Sequence, residues 1–181
     1  MADDAVSIEF AITGPGWADL KFHIGSREYV ADGVSYTTDV LGDLLRAALM
    51  IATGGCTARA SFDGEPMETR LIIGNDWDRS EWRKRFRVRV FTARDIYEKT
   101  PDEACDLVFE AECDERAFLS AVATAATDIL NRYGTDGYPW WDMPFPMRAL
   151  RALETALVTE EPAPKQQPPG DIITIFKSED D

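Results

Sequence analysis

A single histidine and three scattered cysteines set the first limits on the chemistry of this chain. A structural zinc centre draws four ligands from Cys and His, usually with two of them close together. Cys56, Cys105 and Cys113 form no Cys-x-x-Cys pair, and His23 has no second imidazole beside it. An odd cysteine count also speaks against a closed disulfide framework and fits reduced, mostly packed thiols in the cytosol. Long apolar runs are missing too. The greasiest stretch, Val40 to Ala52, is interrupted by Gly42, Asp43 and Arg46, whereas a membrane helix needs about 20 apolar residues in a row. The start, Met1-Ala2-Asp3-Asp4, lacks the basic and apolar character of a secretion signal. A cytoplasmic chain with no membrane partner is the expectation.

Positive charge is scarce. Lys and Arg number 19 against 33 Asp and Glu, a formal net charge of −14. That excess keeps a protein dispersed and repels nucleic acid and anionic lipid, while leaving room for a basic protein partner. Cofactor fingerprints are absent as well. Gly14-Pro15-Gly16 and Gly54-Gly55 make neither a P-loop nor a dinucleotide turn, and no serine sits in a nucleophile elbow. No cofactor or metal is expected.

What is present is periodicity. Hydrophobic residues make up 45% of 181 positions, enough for one ordinary core. Val6 to Ile12 alternates as a half-buried strand does. Trp17 to Val30 reads as a hairpin turning near Gly25-Ser26, with Leu20, Phe22 and Ile24 on one face and His23 on the other. Val40, Leu41, Leu44, Leu45, Ala48, Leu49 and Ala52 recur at helical spacing after capping candidates at Ser35 to Asp39. Further strands are predicted at Thr57 to Phe62, Met67 to Ile73, Arg85 to Phe91 and Asp106 to Cys113, with a longer loop at Asn75 to Trp82. In the last strand, Leu107, Phe109, Ala111 and Cys113 are expected to face inward. Asp114 caps a helix that Gly134 ends, and Pro146 opens a shorter one carrying Leu150, Leu153 and Leu157. The alternation suits an antiparallel sheet with one covered face. The fold class expected is α+β: a mainly antiparallel sheet with two to three helices packed mostly on one face, over residues 1–159.

From Glu160 to Gly170 the composition turns to Glu, Pro, Lys and Gln, so residues 160–181 read as a Pro-rich linker and a short tail. Asp171 to Phe176 regains strand character, for docking on its own sheet, for recognition, or for a homo-oligomer joined through this C-terminal segment.

Two groups of side chains carry the functional expectations. Arg85, Arg87 and Arg89 project from one face of a strand and suit an anionic ligand. The competing expectation is that they pair with Asp106, Glu110 and Glu112 across the next strand. Asp136, Tyr138, Trp140, Trp141 and Asp142 lie in a Gly- and Pro-punctuated loop, where aromatic side chains either anchor a partner or close the end of the core. In size and charge the chain resembles acidic immunity proteins of bacterial toxin systems. That likeness matches no particular residues and implies neutralisation of a basic partner. A non-enzymatic interaction domain is the leading expectation, ahead of an anion-binding protein or enzyme and of an oligomeric structural protein. Carboxylate pairs such as Asp39 and Asp43, or Glu110 and Glu112, are expected from the abundance of acids alone.

Overall fold

The structure is a computed structural model that describes residues 5–78, 83–140 and 143–159, and of residues 77, 78, 83 and 84 the backbone only. Among the described residues, seven antiparallel strands form two sheets. Strands β1 (Val6–Gly14), β2 (Trp17–Ile24) and β3 (Arg27–Ser35) make the first, in the order β1-β2-β3. Strands β4 (Thr57–Asp63), β5 (Glu68–Asp78), β6 (Arg83–Ala93) and β7 (Asp106–Cys113) make the second, again in sequence order. Three helices follow β3, β7 and the loop after Gly134: α1 (Val40–Ala52), α2 (Glu115–Tyr133) and α3 (Met147–Val158). The α+β class and the antiparallel pairing are as expected. Among the described residues, no helix is long and apolar enough to cross a membrane.

Both sheets feed one core. Leu20, Phe22 and Ile24 of β2, Leu71 and Ile73 of β5, and Phe86, Val88 and Val90 of β6 are all buried beneath the helices. Phe118 of α2 joins the sheets: its ring lies 6.5 Å from Phe22, nearly parallel, and 5.6 Å from Phe86, tilted. Beside this seam Tyr29 of β3 packs at 5.8 Å, tilted, against Phe109 of β7. Arg27 also donates to the backbone carbonyl of Glu110, so a side chain of one sheet satisfies an edge carbonyl of the other.

The helix ends follow local chemistry. The Asp39 carboxylate caps α1 by accepting from the Gly42 N–H at 3.2 Å, and Asp114 caps α2 by accepting from Ala117 N–H at 2.8 Å. Pro146 stands at the N-cap of α3 rather than within its first turn.

Four sequence expectations are corrected. Residues 75–78, read as loop, continue β5 and pair with β6 as far as Asp78 opposite Arg83. The ladder bonds are backbone bonds, so polar side chains do not interrupt them once the hairpin extends past the core. Leu107 is 51% exposed instead of facing inward. A bulge at Val108 of β7, facing the Val90–Phe91 step of β6, puts Leu107 opposite Phe91, on the outer face, while Phe109 stays opposite Val90. Asp106 consequently stands opposite Thr92, away from the arginines. Cys56 is exposed, and Cys105 belongs to a polar cluster on the outer sheet face rather than to the apolar core. The tail at 160–181, including the strand-like 171–176, lies outside the described residues.

Candidate functional site

The loop from Gly134 to Pro146 is built against the ends of β1 and α2. Gly134 closes α2 with φ of 68°, its N–H bonded to the Leu130 carbonyl at 2.7 Å. Gly137 then passes so close to α2 that a Cβ there would lie 2.3 Å from the Tyr133 carbonyl oxygen, and a glycine is the one residue that fits. This approach turns the next two aromatics inward. Tyr138 packs edge-on to Phe145 with ring centres 5.4 Å apart, and Trp140 lies 5.6 Å from Phe10 of β1. Trp140 also donates its indole N–H to the Thr38 carbonyl at 3.0 Å. The Met143 N–H returns to the Trp140 carbonyl at 2.9 Å and closes the turn.

Between this loop and the Gly14-Pro15-Gly16 turn is an open cleft of about 750 Å³, within the range of small-ligand sites. Its walls are largely apolar: Ile12, Pro139, Trp140 and Met143 line it together with Tyr133 and Tyr138. Among the described lining residues, Asp136 is the charged side chain. It is exposed, and its hydrogen bond is to its neighbour's hydroxyl, from Thr135 Oγ1 at 3.2 Å.

Tyr138 is the unusual member. Its ring is 8% exposed, yet its hydroxyl is buried and has no hydrogen-bond partner. A buried hydroxyl without a partner forfeits its water bonds and gains nothing in exchange. Burial pushes the phenol far above its ordinary range, and the nearby Asp39 carboxylate adds to the shift. The group therefore stays protonated and is available as a donor.

Three of the five loop residues singled out from sequence, Asp136, Tyr138 and Trp140, thus line one cleft. Their roles differ from free contact anchors. Trp140 is 1% exposed and is a core side chain that presents only an edge, which matches the core-closing alternative. Trp141 and Asp142 lie outside the described residues, as do the side chains of Trp77 and Trp82.

The arginine group is elsewhere, on the outer face of the second sheet, and none of it lines the cleft. Arg85 meets Glu112 at 3.3 Å. Arg87 lies between Glu110 at 3.2 Å and Asp76 at 3.4 Å. Cross-strand pairing therefore accounts for these two. Arg89 differs in that no described carboxylate stands at ion-pair distance from it, and its Nε is buried without a hydrogen bond. The acid pairs are likewise committed. Asp39 and Asp43 both hold Arg46, at 2.9 and 2.6 Å, and His23 faces Glu28 at 3.3 Å across the β2–β3 turn.

Sequence reading missed the most buried polar group. Arg70 is fully buried and makes a fork with Glu68, Nε to Oε1 at 3.0 Å and Nη2 to Oε2 at 2.8 Å. Asp102 at 2.5 Å and the Cys105 thiol at 3.0 Å complete its shell. The signal was present as Glu68-x-Arg70, which places opposite charges on one strand face. What covers that face, the 94–105 segment with its two short 3-10 turns, had no periodicity to reveal it. Among the described residues no group of three or more His, Cys, Asp or Glu side chains is placed to hold a metal ion.

No protein family, no curated protein and no solved structure matches this chain.

Proposed function

We propose that this chain is a non-enzymatic interaction domain that receives a segment of a partner protein in the cleft between the Gly14-Pro15-Gly16 turn and the Gly134–Pro146 loop. One observation carries the reading: Tyr138, whose hydroxyl is buried and unpartnered, is among the residues lining an apolar cleft. A donor held dry beside an opening gains a bond when an acceptor enters, so part of its desolvation cost is recovered on binding. The Thr38 bond of Trp140 holds the wall in place beforehand, which lowers the ordering cost of association. The net charge of −14 favours a basic partner and steers its approach.

Gly14 offers a direct test. It lines the cleft, its φ is not positive, and a Cβ there would meet nothing within 4 Å. Gly14→Leu should fill the opening without disturbing the fold. A partner that copurifies with the wild-type chain and is lost by Gly14→Leu at unchanged melting temperature supports the reading. Equal recovery by both proteins, or none by either across a range of salt, counts against it.

A second reading has one observation in its favour. The unpaired guanidinium of Arg89 suits a small anion on the outer sheet face. Phosphate-induced amide shifts centred on Arg89, lost in Arg89→Gln, are its test; a spectrum indifferent to phosphate removes it. An assembly through residues 171–176 is a third proposal. Equal solution mass for the full chain and for Ile173→Asp is the result that sinks it.

A further inference from the structure

The inference concerns what the cleft accepts, and it rests on the cleft being the recognition site. We propose that it takes a long cationic side chain, arginine or lysine, from the partner. The aliphatic stem lies among the apolar walls, the charged head meets Asp136, and the Tyr138 hydroxyl donates to an oxygen of the same segment.

The lining decides the chemistry. A purely apolar occupant leaves the Asp136 carboxylate at the mouth without a role and covers the Tyr138 donor without satisfying it. An acidic occupant meets no cation among the described lining residues, none of which is Lys, Arg or His, and it is repelled by Asp136 and by the net charge of the chain. A long cationic side chain fits both features at once. Lys and Arg bury their methylene stems on apolar surface while the head stays at the water boundary, which is where the exposed Asp136 carboxylate stands. That carboxylate is uncommitted: its hydrogen bond is from the Thr135 hydroxyl, and no described cation lies at ion-pair distance. Asp39, the acid acting on Tyr138, is not among the lining residues and is already held by Arg46. It therefore adds less to the attraction than Asp136 does. Tyr133, half-buried in the same wall, offers an aromatic face on which a flat guanidinium stacks better than an ammonium. The remaining donor, Tyr138, selects an acceptor, and the peptide carbonyl that accompanies any side chain supplies one.

The test titrates the full chain with four blocked amino acids, the N-acetyl N-methylamides of arginine, lysine, norleucine and glutamate. Concentrations run to about 20 mM, a range that captures millimolar binding. The readouts are the Trp140 indole N–H resonance and the Met143 methyl resonance. The expected result is saturable shifts with the arginine or lysine compound, weakened by added salt. Asp136→Asn should lower that affinity about fivefold, and Tyr138→Phe should lower it by a similar factor of about five. Norleucine binding as well as arginine, with Asp136→Asn silent, overturns the inference and leaves a binding cleft of apolar preference. Preference for the glutamate compound overturns it in favour of an acidic segment. If no compound shifts either resonance the inference falls, and the Gly14→Leu comparison then decides separately whether the interaction reading falls with it.

Discussion

The indole N–H of Trp140 reaches the backbone carbonyl of Thr38 across 102 residues of chain, at 3.0 Å. Thr38 stands immediately before the α1 cap, and its own hydroxyl accepts from the Asp63 N–H at 3.2 Å. Asp63 in turn accepts from the Thr37 hydroxyl at 2.7 Å. One wall of the cleft is therefore tied to the start of α1 and to the turn between β4 and β5. Trp140→Phe keeps most of the apolar contact but leaves the Thr38 carbonyl unpaired, which should cost about 1–3 kcal/mol. Trp140→Ala should cost about 3–5 kcal/mol. Urea denaturation of the three proteins checks the order. Equal stability of wild type and Trp140→Phe would show that the bond contributes nothing.

How much of this was legible beforehand depends on the period of the signal. Strand alternation in β2 and β6 and the helical stripe of α1 each follow from burial of one face, and burial is written in residue type. The split into two sheets was not legible, because Phe118 contacts Phe22 and Phe86 in the same way that a helix contacts a single sheet. The bulge in β7 was hidden for a different reason. Leu107 is apolar and in phase with Phe109, and only pairing geometry puts it outside. At the cleft, composition pointed to Asp136, Tyr138 and Trp140. The opposing Gly14-Pro15-Gly16 turn, some 120 residues distant in sequence, gave no local sign that it would face them.

The Glu68–Arg70 fork predicts an acid-sensitive element of stability. Burial alone would raise the Glu68 carboxyl, but the hydrogen bonds of Arg70 and Ser61 and the charges of Arg70 and Arg59 outweigh it and hold the group below its ordinary value. A carboxyl depressed in the folded state contributes its stability above the unfolded value, near pH 4.3, and loses it as pH falls through the folded value. Arg70→Met should destabilise at neutral pH by about 3 kcal/mol, the lower end for a broken buried pair, since Glu68 is left charged and buried with only the half-exposed Arg59 at 3.4 Å beside it. Adding Glu68→Leu should restore much of that loss, and it should flatten the acid limb below about pH 4.3. A double-mutant cycle by denaturation at pH 7 and pH 3.5 measures both effects. A double variant as unstable as Arg70→Met would reject the pairing account.

Helix α2 carries Phe118 between the sheets, and its start rests on Asp114 accepting from Ala117 N–H. Asp114→Ala should lower global stability by about 1 kcal/mol, with Asn recovering most of it because its side-chain oxygen caps as well. The acid also favours the positive end of the helix dipole, so Asn should remain slightly below Asp at low salt. Thermal unfolding at two ionic strengths separates the two contributions. If Ala and Asp unfold together, the cap is formed without energetic consequence.

The unpartnered hydroxyl of Tyr138 gives the prediction with the least ambiguous sign. Removing a buried group that has no partner relieves a desolvation cost, so Tyr138→Phe should leave stability unchanged or raise it by about 1 kcal/mol. Most single substitutions in a core do the reverse. A second consequence appears at high pH. The folded state holds the Tyr138 proton above the ordinary phenol value because burial, and then Asp39, disfavour the phenolate. A group raised in the folded state contributes its stability in full below the unfolded value, near pH 10, and loses it as pH climbs towards the folded one. Wild type should therefore lose stability relative to Tyr138→Phe above about pH 10. The difference is specific to this site even though burial also raises Tyr29, whose Thr69 hydrogen bond opposes the shift, because Tyr29 is common to both proteins. Phenolate absorbance should show one fewer late-titrating tyrosine in the variant. Early, ordinary titration of all five tyrosines would place the Tyr138 hydroxyl in water and remove the basis for a dry donor in the cleft wall.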